Sequence, residues 1–111
     1  MQDMPPDKQL EERILHDRYE YLTSNIPADD VAPMMASENL LTPREHDEYK
    51  AMKRSGMSTI SLSEYLLDCL CKRHPGFLKI FCEILWKIEP AKYLGDYIQD
   101  AYKEASEQEG M

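Results

Sequence analysis

Three cysteines, three histidines and a surplus of carboxylates are the side chains in this chain that could do chemistry. Cys71, His74 and Cys82 are of types that bind soft metals, but the set lacks the second close-spaced ligand pair that structural zinc sites use. Cys69 and Cys71 are two apart, which on a helix points them to nearly opposite sides. An odd thiol count within apolar helical segments predicts reduced, packed cysteines, with no metal, cofactor or disulfide framework. His16, His46 and His74 fall on three different segments, and none has a serine or cysteine nearby in a nucleophile motif. Four glycines supply no phosphate-cradling loop. The expectation is a domain without catalysis, so the charges are expected to act by recognition.

Those charges are unevenly spread. Residues 1–26 carry six acids and three bases, 27–50 six and two, 51–88 three and six, and 89–111 six and two. The middle is basic inside a chain of net charge −8. Such a surface repels phosphate backbones and acidic membranes, so neither nucleic acid nor a membrane is expected as a partner. Unlike patches on one small domain favour docking to a partner of similar polarity.

The elements that would position these charges are helices. At 111 residues the chain has the size of a single domain. Leu10, Ile14, Leu15, Tyr21 and Leu22 form one buried stripe over 7–25, with a gap at 16–20 that permits a bend. Pro27 ends that segment, and Asp29 or Asp30 can cap a second helix over 30–38; with Asp30 as the cap, Pro33 lies in its first turn. Thr42-Pro43-Arg44-Glu45 is a capping box with proline at the first helical position and predicts a third helix over 43–54, with Tyr49, Ala51 and Met52 inward. Ser61-Leu62-Ser63-Glu64 repeats the box and predicts a fourth over 62–73. Ser58 to Leu62 alternates like a strand, but one short run with no pairing partner is not a sheet. Residues 76–88 are apolar almost all round, predicting a central fifth helix with Trp86 in the core. The last helix starts at Glu89-Pro90, with Tyr93, Leu94, Tyr97, Ile98, Ala101 and Tyr102 inward. Residues 1–6 are expected as a flexible lead, 7–105 as the domain, and 106–111 as a fraying acidic tail. No apolar run approaches the roughly 18 residues of a membrane span, and the N-terminus lacks a secretory pattern, so a cytoplasmic location is expected.

The stretch Leu40-Leu41-Thr42-Pro43-Arg44-Glu45, followed by Tyr65-Leu66-Leu67-Asp68 and by Phe77-Leu78, Phe81 and Ile84-Leu85, resembles a caspase-recruitment domain over about residues 8–102. His74-Pro75 departs from the basic-glycine pair that often follows the fourth helix in that family. The resemblance implies an all-α, six-helix antiparallel bundle of the death-fold (Greek-key) type with a kinked first helix. It also implies homotypic association in apoptotic, inflammatory or innate immune signalling, as an adaptor-type contact that can grow into a helical oligomer or filament. An acidic surface from the second and third helices (Asp29, Asp30, Glu38, Glu45, Asp47, Glu48) would meet a basic surface from the first and fourth (Arg13, Arg18, Lys72, Arg73) of another such domain. Lys50, Lys53 and Arg54 would belong to a further contact. The competing expectation is a monomeric helical domain that binds a peptide or helix in an apolar groove beside Met34 and Met35.

Overall fold

The computed structural model describes residues 7–109, so the expected flexible lead at 1–6 lies outside the described residues. The described chain is all-helical, with no strand: α1 (Lys8–Asp17), α2 (Tyr19–Asn25), α3 (Ala28–Ser37), α4 (Pro43–Arg54), α5 (Thr59–Leu70), α6 (Phe77–Lys87), a single 3-10 turn (Glu89–Ala91) and α7 (Lys92–Glu109). The expected first helix is two helices. Arg18 leaves the α-region at φ −116°, ψ 15°, and Asp7 caps α1 by accepting from the Leu10 N–H at 3.2 Å. The break lets each half find its own partner, α1 against α7 and α2 against α5.

Four expected boundaries move. α3 begins at Ala28 with Pro27 before it and no side-chain cap, so neither Asp29 nor Asp30 is the cap, and Pro33 lies inside the helix. α4 begins where Thr42 places it: Glu45 N–H donates to Thr42 Oγ1 at 3.1 Å, and Thr42 N–H donates to Glu45 Oε1 at 2.8 Å. α5 starts one turn earlier than Ser61, because Gly56 at φ 88° ends α4 quickly and leaves Ser58 free to accept from the Ser61 N–H at 3.1 Å. It also ends at Leu70, which leaves Lys72 and Arg73 in the following turn and off the helix. α7 continues to Glu109, so the expected domain edge at 105 falls inside a helix.

The core is one cluster built around α6. Phe77, Leu78, Phe81, Cys82, Ile84 and Leu85 are buried, and α6 packs along α7 and on α3. α6 is amphipathic, however, with Lys79, Glu83 and Lys87 exposed. Trp86 is only half-buried: its Nε1–H donates to Asp96 Oδ1 at 2.9 Å, and its indole lies over Gly95 of α7. An indole N–H needs a partner, and the helix seam supplies one at its edge. Ala51, Tyr21 and Tyr93, expected inward, are exposed, the two tyrosines by 45% and 47%.

A buried carboxylate ties the two ends of the bundle together. Glu11 is 2% exposed and accepts from Gly76 N–H at 2.9 and 3.1 Å and from Leu78 N–H at 2.9 Å. It therefore satisfies orphan donors at the start of α6, where the helix dipole favours negative charge. Gly76 sits at φ 102°, a conformation a side chain resists. Lys8 of α1 donates to the Arg73 carbonyl and lies 5.8 Å from the Phe77 ring centroid.

Candidate functional site

Several of the charges expected to meet a partner meet each other. Arg73 donates two bonds to Glu45, Nη1 to Oε1 at 2.8 Å and Nη2 to Oε2 at 3.1 Å, with the side chains 17% and 13% exposed. One member of the basic set and one of the acidic set thus form a forked ion pair inside the molecule, and the two sets do not lie on wholly opposite sides. Burial works against the Glu45 carboxylate, but the Thr42 backbone N–H and the Arg73 guanidinium outweigh it and hold its pKa below the ordinary glutamate value. Asp29, in the first turn of α3, accepts from the Tyr49 hydroxyl at 2.8 Å and pairs with Lys53 at 3.1 Å. The Tyr49 bond, with help from Lys53, lowers its pKa. Lys53 is thereby joined to the acidic set. Glu48 accepts from the Tyr65 hydroxyl at 2.6 Å and lies 3.8 Å from Arg44.

What remains on α3, on the turn after it and on α4 is a smaller set. Asp30, Glu38 and Asp47 are exposed and have no ion pair or side-chain hydrogen bond among the described residues. Lys50 and Arg54 are exposed on the same helix as Asp47. Lys72 is exposed in the turn after α5, near the half-buried Arg73. Arg13 is exposed on α1, and Arg18 is half-exposed at the α1–α2 break.

Arg13 and Arg18 line a cleft of about 280 Å³ between the end of α1 and α7. Asp17 stands on the same wall, Ala101, Glu104 and Ala105 form the other, and Ile14 completes the lining. Arg18 also lies 5.8 Å from the Tyr97 ring centroid, and the Tyr97 ring is 4.7 Å from that of Tyr21. Sequence reading missed this aromatic surface because it assigned Tyr21, Tyr93 and Tyr97 to the core stripe. Glu11 was missed too, although it stands three and four residues before Ile14 and Leu15 on the buried face, an unusual place for a lone acid.

Of the α3 methionines, Met35 is fully buried in the core, and Met34 packs partly against it. Among the described residues no group of three His, Cys, Asp or Glu is placed to hold a metal ion, and no helix is long and apolar enough to cross a membrane. Burial pushes the Cys69 thiol up to about 11 and the Cys82 thiol up to about 12, and raises Cys71 as well. These thiols therefore carry little thiolate at neutral pH, the opposite of a reactive cysteine. No protein-family model matches the chain, nor does any curated protein or solved structure to which it was compared.

Proposed function

We propose that this chain is a non-catalytic homotypic interaction module of the caspase-recruitment class, a six-helix antiparallel death-fold bundle in which α1 and α2 are the two halves of a broken first helix. It acts in the cytoplasm, in apoptotic or innate immune signalling, by docking to another such domain. The observation that carries this reading is the trio Asp30, Glu38 and Asp47: exposed carboxylates on α3, on the turn after it and on α4, with no counter-ion among the described residues. Lys72 and Arg13 are the exposed cations that such a surface on a second copy would meet. Contacts between unlike patches are heterologous, so each copy leaves one patch open and the assembly propagates. Charge sets its orientation and its choice of partner.

Asp30→Lys with Asp47→Lys avoids the residues that bond internally, and should abolish association while leaving the helical content unchanged. Lys72→Glu with Arg13→Glu should do the same, and mixing the two variants should restore association between them. Sedimentation at low and moderate salt decides. A wild type that stays monomeric at every concentration and binds no related domain, or reversals that associate like wild type, would overturn the reading.

A further inference from the structure

A second surface, on the far end of the chain, has the composition of a recognition site for cations. Tyr21 and Tyr93 are the most exposed aromatic side chains described, and Tyr97 lies half-exposed beside Tyr21 with the ring centroids 4.7 Å apart. Asn25 joins them: its Nδ2 donates to the Tyr21 carbonyl at 2.7 Å, and its Oδ1 accepts from the Tyr93 hydroxyl at 3.2 Å. Tyr93, Tyr97, Ala101 and Ala105 follow one another at four-residue intervals along α7, so the tyrosines continue into the cleft against α1. The strip is about 18 Å long, the reach of five or six extended residues. Large rings fixed on two helices, followed by small alanines, make a shallow trough with aromatic walls at one end.

Two observations say what would lie there. One is already in place within the molecule: the Arg18 guanidinium covers the Tyr97 ring at 5.8 Å, so this surface accepts a cation on an aromatic face. The other is charge. Asp17 and Glu104 stand in the cleft and Asp100 is exposed one turn beyond Tyr97, in a segment, 89–111, that carries six acids and two bases. In the cleft Asp17 and Glu104 stand with Arg13 and Arg18, whereas Asp100 beside Tyr97 has no ion pair or side-chain hydrogen bond among the described residues.

We infer that the strip formed by Tyr21, Tyr93 and Tyr97 with the α1–α7 cleft binds an extended arginine- or lysine-rich segment of a partner protein, its cations laid on the tyrosine faces and paired with Asp100. Aromatic residues of this kind dominate binding energy at interfaces. This contact does not use the α3–α4 carboxylates, but it shares Arg13 with the basic side of the proposed homotypic contact, so a basic segment in the cleft and a second copy docked on Arg13 compete.

A fluorescein-labelled hexa-arginine peptide, titrated with the full chain at moderate salt and followed by anisotropy, tests it. Wild type should bind, and Tyr21→Leu with Tyr93→Leu, which changes no charge, should lose about tenfold in affinity. Tyr21→Phe with Tyr93→Phe keeps both rings and should stay within about twofold of wild type. Glu38→Gln with Asp47→Asn removes two charges from the other face and should also stay within about twofold. Circular dichroism establishes that each variant is folded. Absence of binding by wild type, unchanged binding by the leucine variant, or affinities that follow net charge alone would overturn the inference. So would self-association that the leucine substitutions abolish while the peptide does not bind, because the strip would then serve a second copy of the chain.

Discussion

Glu45 and Arg73 stand 28 positions apart and were expected on separate surfaces, yet they close a two-bond fork at the corner of α4 and the turn after α5. Arg73→Met removes the partner of a largely buried carboxylate and should cost about 2–3 kcal/mol in urea denaturation. Lys72→Met, one residue away and exposed, should stay within about 0.5 kcal/mol of wild type. The pair also makes stability depend on acid. Because the folded pKa of Glu45 lies below its ordinary value, the unfolded chain takes up the proton first. The stabilisation is therefore complete above the unfolded value, about 4.3, and is lost as pH falls through the depressed folded one. Urea midpoints between pH 7 and pH 3 should fall less steeply for Glu45→Gln than for wild type. None of this was legible in the sequence, since a charge pattern gives the sign and spacing of side chains but not which of two adjacent cations turns inward.

At the scale of elements, local chemistry was legible where it involves only neighbours. The Thr42 box placed the start of α4 to the residue, because both bonds span three positions. The start of α5 was expected at the Ser61 box, but Ser58 caps it, because Gly56 closes α4 early enough to leave that serine in place. Ser58→Ala should therefore cost about 1 kcal/mol in thermal or urea melts, and Ser61→Ala less than about 0.5 kcal/mol. Trp86 shows a different failure: its apolar surroundings in sequence hid the need of its N–H for Asp96. A Cβ built at Gly95 would come within 2.6 Å of the Trp86 Nε1. Gly95→Ala should push the indole off the α6–α7 seam and shift its fluorescence to longer wavelength, and an unchanged spectrum would mean that the ring does not rest there.

At the scale of the molecule, the all-helical class and the core of α6 and α7 followed from periodicity, whereas the pairing of distant segments did not. Glu11 reaches 65 and 67 positions along the chain to Gly76 and Leu78. Glu11→Gln weakens charge-assisted bonds at the start of the central helix and should lower the whole unfolding transition by about 2 kcal/mol, with circular dichroism and Trp86 fluorescence still falling together. Loss of α1 alone, seen as amide exchange confined to residues 8–17, would contradict it. The break at Arg18 carries this coupling further, since it sends α1 to α7 while α2 goes to α5. α1 thus has its main packing partner in α7, at the other end of this bundle, and Ile14 and Leu15 stay uncovered until α7 has been made. The α1–α7 contact is therefore a non-local closure, made only after the segments between them are in place.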